Sequence, residues 1–421
     1  MAQQFKFGVV GLGGRGHGNL MEFLKVEGVY VAAVCDIYED RVKSAADDVE
    51  KEYGYRPDEY TDYKQLLARD DIGAVLVFTT WITHSRIAND CMLAGKHVAM
   101  EVGGSASVEE CWRLVRTSEA TGKFCMLLEN CCYDRYEMAL FNMKKLGLFG
   151  DVVHAEGAYQ HDLRDEILHG RENRHGRLFN FMNRNGEVYP THQFGPICKL
   201  LGINRGNRIV SLVSMSSPAK GLNAYAHDVH KDGYDIADYE FAQGDVVTTM
   251  LKCAHGETIL LTHECTLPRP YSRGYRIDGT KGAYREDDDQ IYFDHISPDE
   301  KWEPVLPYIE KYEHPLWKEY FVRGVHTGGH GGMDFLVLSA FAEAAMNDVQ
   351  PPIDVYDTAV WMSVTALSEQ SIAMGSHPVP MPDFTDGMWI DRAPYRRGRY
   401  CLEEVCTEFY DLTEVKGEEK E

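Results

Sequence analysis

Apolar positions along the chain follow two rhythms. Short unbroken runs at Phe5 to Val10, Val29 to Val34, Ala74 to Phe78, Val98 to Met100 and Phe124 to Leu128 have the length of strands buried on both faces. Between them Val42, Ala45, Ala46, Val49 and Tyr53 keep helical spacing, and Gly54 ends it. Ser107 with Glu110 makes a capping box for a helix that stops at Gly122. This alternation to residue 130 predicts an α/β, doubly wound parallel sheet of the Rossmann type.

The pattern then changes. Asp134 and Glu137 can cap a helix running to Gly147, and Gly150-Asp151 turns into a strand ending at Tyr159. Residues 160–188 are polar, rich in His, Arg and Asn, with little periodicity. Runs rich in β-branched residues follow at Arg208 to Met215, Val246 to Cys253 and Glu257 to Cys265, with His255-Gly256 at a hairpin tip. Gly332 to Asn347 and Asp354 to Met374 are apolar enough for buried helices, parted by Pro351-Pro352. The expected division is a first domain over 1–130, an α+β domain with a mostly antiparallel open sheet and C-terminal helices over 131–411, and a disordered acidic tail over 412–421. No internal repeat is visible.

Composition narrows the function. A formal charge of -23 over 421 residues repels phosphate backbones, and no basic stripe offsets it, so nucleic acid is not expected as a partner. The 11 cysteines form no C-x-x-C pair and read as reduced thiols. No apolar run is long enough to span a bilayer, and no signal peptide precedes the first strand, so a cytoplasmic location away from membranes is expected.

Gly11, Gly13 and Gly16 fit G-x-G-x-x-G behind the first strand and ahead of a helix, the setting in which bare backbone and a helix N-terminus receive a pyrophosphate. Asp36 lies about twenty residues further on, where a carboxylate takes the adenosine ribose hydroxyls and repels a 2'-phosphate, which favours NAD over NADP. Asp36, the Trp81–His84 turn, Glu101 and Asn130 all follow predicted strands, at the ends where such sheets bind ligands.

At these residues the chain resembles the Gfo/Idh/MocA superfamily, a Rossmann domain joined to an α/β sheet domain. Dehydrogenases of that superfamily carry E-K-P, whose lysine helps move the substrate hydroxyl proton; this chain reads Glu101-Val102-Gly103. That departure is shared with glycoside hydrolase family 109. The family is also resembled in Trp81-Ile82-Thr83-His84, Leu128-Glu129-Asn130, Tyr189-Pro190-Thr191-His192-Gln193-Phe194-Gly195-Pro196, Pro270 to Tyr275 and Gly328-Gly329-His330-Gly331-Gly332-Met333-Asp334. The resemblance implies α-N-acetylgalactosaminidase activity with NAD kept bound. It places NAD contacts on Gly11, Gly13, Gly14, Arg15, Gly16, Asp36, Trp81, Thr83, His84, Glu101, Val102, Asn130, Arg177, Tyr189 and His192. It places sugar contacts on Tyr159, Tyr189 and Tyr271.

A hydrolase that keeps NAD points to redox-assisted elimination: oxidation at sugar carbon 3, loss of the carbon 2 proton, departure of the aglycone, addition of water, and re-reduction. Such a route needs a base near neutral pKa and groups that orient hydroxyls, not two carboxylates flanking the glycosidic bond. His192 is the first choice for proton transfer, with Tyr189 and Tyr159 as hydroxyl partners. Two other readings are a sugar dehydrogenase of the Gfo/Idh/MocA type and a non-catalytic NAD-binding sensor. His326 and His330 have metal-like spacing, but Gly328 and Gly329 discourage the helix that would join them, and His227 with His230 reads as solvated; no metal is expected. The expected partner is a small glycoside, with homo-oligomerisation through the second sheet.

Overall fold

The computed structural model describes residues 4–229, 235–322, 329–393 and 399–403. The expected tail at 412–421 and the histidines His230 and His326 lie outside the described residues.

The first sheet is wholly parallel. Its strands are β1 (Phe7–Val10), β2 (Val31–Cys35), β3 (Asp58–Tyr60), β4 (Ala74–Val77), β5 (His97–Met100) and β6 (Cys125–Leu127), in the order β3-β2-β1-β4-β5-β6. Every residue of β1, β2, β4, β5 and β6 is buried, as two-sided burial of a parallel sheet demands. The edge strand β3 escaped the sequence reading because Asp58 and Glu59 are exposed and no apolar run marks it. The order reverses between β1 and β4, which opens a crevice beyond their carboxyl ends.

Helix Glu39–Tyr53 ends on Gly54 at φ 73°, as its sequence pattern indicates. Ser107 caps helix Val108–Thr121 by accepting from the Glu110 amide at 3.2 Å. Glu110 returns a bond to the Ala106 N–H at 3.0 Å instead of to Ser107, so the box is offset by one residue. Asp134 caps helix Arg135–Lys145, but Glu137 turns inward to pair with Arg273 at 2.9 Å.

The second sheet holds β7 (Val152–Gln160), β8 (Ile209–Ser216), β9 (Val246–Cys253), β10 (Thr258–Glu264), β11 (Arg276–Gly279), β12 (Gly282–Arg285), β13 (Gln290–Phe293), β14 (Glu303–Pro304) and β15 (Val379–Pro380). Their order is β14-β13-β12-β11-β7-β10-β9-β8-β15, antiparallel except where β7 meets β10. The polar stretch 160–188 holds two short helices, Arg164–Leu168 and Arg177–Asn183.

The last helices join the two sheets. Val355–Ala373 carries a full capping box on Asp354 and Asp357 and packs against β8, β6 and helix Val108–Thr121. The Ser105 amide donates to Met362 O at 3.1 Å, and Trp361 is wholly buried in the shared core. Helix Met333–Asn347 lies on helix Gly14–Phe23, with Phe341 6.0 Å from Phe7 and 6.2 Å from Phe23 between ring centres. These contacts tie the last helices to elements of both sheets. Among the described residues, no helix is long and apolar enough to cross a membrane.

Candidate active site

The glycine loop between β1 and helix Gly14–Phe23 leaves backbone open for a ligand. Gly11 has φ +96°, and a Cβ there would sit 2.6 Å from the Phe78 carbonyl carbon and oxygen. A Cβ on Gly16 would drive into the Gly11 carbonyl oxygen, so helix and turn approach only because both residues are glycine. Gly13 begins the helix without a side-chain cap, which leaves its first amides and positive end for an anion. Gly14 faces open space.

Asp36 closes one end of this groove. Its carboxylate accepts from the Leu12 N–H at 2.6 Å and the Tyr38 N–H at 3.0 Å, fixing it beside the glycine turn with lone pairs to spare for a diol. Bare loop, uncapped helix and fixed acid together suit NAD.

Arg15 ties the loop to the rest of the site. Its guanidinium gives two bonds to Asp334, at 2.6 and 2.8 Å, and its Nε bonds Glu101 at 3.2 Å. Asp334 also accepts from Asn130 at 2.8 Å and lies 3.0 Å from His330 Nδ1. Burial alone would raise the Asp334 carboxyl, but His330 and Arg15 hold it well below the usual carboxylate range. Glu101 accepts from the Val102 N–H at 3.0 Å and from Asn19 at 3.3 Å.

Val102 is 1% exposed and presents an apolar side chain directly after Glu101. Gly103, at φ +141°, leaves its backbone bare under the Trp81 ring, and a Cβ there would overlap that ring. The Thr83 hydroxyl donates to Thr80 O at 3.1 Å. The His84 imidazole is wholly buried beside the backbone of Glu101 and Gly104, and burial holds it neutral with a pKa of about 4.

Beyond Trp81 stands an aromatic cluster. Tyr189 lies 5.3 Å from Trp81, 4.5 Å from Tyr159 and 4.9 Å from His192 between ring centres. Tyr159 is next to last in β7, whereas Tyr189 and His192 flank the start of helix Thr191–Leu200. Tyr271, half exposed, turns its edge to Tyr159 at 6.2 Å. Arg177 lies 5.2 Å from the Trp81 ring, 5.3 Å from Tyr189 and 5.9 Å from Tyr159. Its Nη1 is buried without a hydrogen-bond partner. An unmet buried donor costs about 1–3 kcal/mol, which makes it a ready anchor for a ligand oxygen.

Three side chains form a hydrogen-bonded chain with the geometry of a proton relay. Glu129 Oε1 lies 2.8 Å from His192 Nδ1, and His192 Nε2 lies 3.3 Å from the Tyr189 hydroxyl. Glu129 is wholly buried, which would raise its carboxyl, yet His192 beside it holds the group below its ordinary value. With Nδ1–H donating to Glu129, Nε2 is left as an acceptor facing the phenol. Tyr189 is pushed well above 10 and Tyr159 up to about 12, both by burial, so each enters as a neutral hydroxyl.

Glu129, Cys131 and His192 also bring three potential metal ligands within 4.8 Å. Glu129 Oε1 and His192 Nδ1 are already paired with each other, an arrangement that serves proton handling as it stands.

The sequence reading missed two participants. Glu129 follows β6 next to Asn130, so the strand-end rule that selected Asn130 could have found it. Asp334 stands in a quoted motif, but nothing local announces that it meets Arg15.

The fold and groove define a class: a Rossmann NAD-binding domain joined to a second α+β sheet domain. Residues 5–128 match the oxidoreductase family with an NAD-binding Rossmann fold. Two solved structures share the architecture. A levoglucosan dehydrogenase in complex with NADH has a TM-score of 0.66 at 17% identity, over 90% of this chain and 99% of that one. An oxidoreductase from Agrobacterium radiobacter in complex with NAD+, L-tartaric acid and magnesium has 0.65 at 16% identity, over 90% and 98%.

Residues 133–391 match the C-terminal domain of glycosyl hydrolase 109. A glycosyl hydrolase family 109 protein of Solibacter usitatus is 40% identical over 92% of this chain and 90% of its own length. An alpha-N-acetylgalactosaminidase of Tannerella forsythia is 38% identical over 92% and 88%. The chain belongs to glycosyl hydrolase family 109.

Proposed function

We propose that this protein is an NAD-dependent glycosidase that cleaves α-N-acetylgalactosaminides, or a wider set of α- and β-glycosides, by redox-assisted elimination. The observation that carries this reading is the Glu129–His192–Tyr189 relay, set where the cofactor groove meets the aromatic cluster. NAD would be held by the glycine loop with Arg15, by Asp36, Trp81, Thr83, Glu101, Val102 and Asn130, and would supply a reversible hydride acceptor at sugar carbon 3. The relay takes the carbon 3 hydroxyl proton through Tyr189 to His192 Nε2 and hands it back at the end of the cycle. Glu129 fixes the tautomer and stabilises the imidazolium. Tyr159 and Tyr271 hold sugar hydroxyls, and Arg177 Nη1 takes an oxygen at the boundary of cofactor and sugar.

With carbon 3 at the ketone level, the carbon 2 proton is acidic enough to be removed, the aglycone leaves carbon 1, and water takes its place. Since Val102 lacks the amine of the superfamily dehydrogenases, Tyr189 and His192 are the proton route, which favours net hydrolysis over sugar oxidation. The test is a panel of p-nitrophenyl α- and β-glycosides with and without the acetamido group. Release of nitrophenol by protein carrying its own NAD, with no NADH accumulating, is expected. Stoichiometric NADH from a free sugar with no glycoside cleaved would overturn the reading.

We also place the domain boundary at 130/131. Among the described residues ten cysteines are buried and free, which supports a reducing, cytoplasmic location. Met215 and Met250, exposed on one face of the second sheet with Val213 and Leu260 between and beside them, support self-association through that face.

A further inference from the structure

The proposed elimination needs a base for carbon 2, and the Glu129–His192–Tyr189 relay is committed to the carbon 3 hydroxyl. A second tyrosine–histidine pair stands across the cluster. The Tyr159 hydroxyl lies 3.2 Å from His161 Nδ1; Tyr159 is next to last in β7 and His161 follows directly on its end, which leaves the two side chains together. The Tyr159 and Tyr189 rings are 4.5 Å apart, so both pairs border the same space. They differ in access. His192 is buried on a wholly buried carboxylate, whereas His161 is only half-buried, with a half-exposed Tyr271 5.1 Å from its ring. The His161 backbone N–H is anchored to Glu264 O at 3.0 Å, so the residue is held beside the end of β10.

We propose that His161 is a relay residue that drains the carbon 2 proton to solvent through Tyr159, while the His192 pair keeps its own proton for return within the turnover. This rests on the elimination reading above. In the step, the carbon 2 proton passes to the Tyr159 oxygen as the Tyr159 proton passes to His161 Nδ1. The electron pair of the broken C–H bond stays on the sugar, delocalised toward the carbon 3 ketone, and the imidazolium then gives its proton to water. The groups facing His161 suit a neutral resting imidazole. Burial, then Arg177, lower its pKa, with His192 adding to this, while Glu166 and Asp162 oppose them. Tyr159 and Tyr271 face it as neutral phenols.

The experiment uses His161→Asn, whose amide can still bond the Tyr159 hydroxyl but cannot carry a proton, with His161→Gln as a second variant. The substrate is p-nitrophenyl α-N-acetylgalactosaminide. In D2O, wild-type product is expected to contain deuterium at carbon 2. Each variant should lose about 100-fold in kcat with KM within a few-fold and bound NAD unchanged. Each should also show a larger isotope effect with substrate deuterated at carbon 2, and no larger one at carbon 3. Variants within about threefold of wild type, or slow variants whose carbon 2 isotope effect is unchanged, overturn the relay and leave the elimination intact. Wild-type product without carbon 2 deuterium overturns the drain to solvent, and the absence of any carbon 2 isotope effect in wild type and in both variants overturns the elimination itself.

Discussion

His192 stands between a carboxylate and a phenol, 2.8 Å from Glu129 through Nδ1 and 3.3 Å from Tyr189 through Nε2. An imidazole so held has one nitrogen assigned to orientation and one to chemistry. Glu129→Gln should therefore cut kcat by about 100-fold or more through loss of the tautomer and of imidazolium stabilisation, with KM little changed. His192→Ala should abolish glycosidase activity and leave NAD bound. Near-wild-type turnover in the His192 variant would remove it from the mechanism.

Two neighbouring glycines should behave oppositely. Gly16→Ala forces a methyl into the Gly11 carbonyl and should strip NAD during desalting, because helix Gly14–Phe23 must shift. Gly14→Ala meets nothing within 4 Å and should retain cofactor. Absorbance of NAD released on denaturation measures both.

Asp36 stands beside the glycine turn, fixed by the Leu12 and Tyr38 amides. Asp36→Ser removes a charge-assisted acceptor and should weaken NAD binding about 10-fold or more while NADP binding gains relative to NAD. Fluorescence titration of apo-protein with each dinucleotide checks it, and an unchanged ratio would exclude Asp36 from ribose recognition.

Asp334 is the knot between the glycine loop, the end of β6 and helix Met333–Asn347. Asp334→Ala leaves the Arg15 and Asn130 donors without their acceptor. The melting temperature should fall by roughly 5 °C, an effect of a few kcal/mol moderated by the partial exposure of Arg15. Thermal denaturation with and without added NAD separates this loss from weaker cofactor binding.

Stability should be lost on both sides of neutrality. Burial holds His84, His97 and His314 at about 4 and His263 at about 3. Their neutral forms favour the fold above pH 6.5, and that contribution is lost as the pH falls from 6.5 through these values. Glu187, 1% exposed, is pushed by burial from 4.5 up to about 8. Its contribution is full below pH 4.5 and is lost as the pH rises from there through about 8. Glu187→Gln should therefore melt higher than wild type at pH 8, with the gap closing toward pH 4.5. A constant gap across that range would refute the assignment.

Much of the fold is written in local pattern. Strands β1, β2, β4, β5 and β6 are runs that only two-sided burial explains, and the glycine loop has a spacing that one backbone geometry requires. Asp36 and Asn130 follow from the rule that ligands gather beyond strand ends. The pattern failed at β3, whose residues carry no apolar signal, and inside 160–188, where short helices are held by tertiary contacts.

The sequence by itself determined the parallel sheet, the glycine loop for NAD and the valine at position 102. Only the tertiary structure decided the pairings: Glu129 with His192 across 63 positions, Arg15 with Asp334 across 319, and Arg177 among the rings of Trp81, Tyr159 and Tyr189. Periodicity reports which way a side chain faces relative to its own element. Which distant side chain it meets is set by how the last helices and the second sheet close over the first.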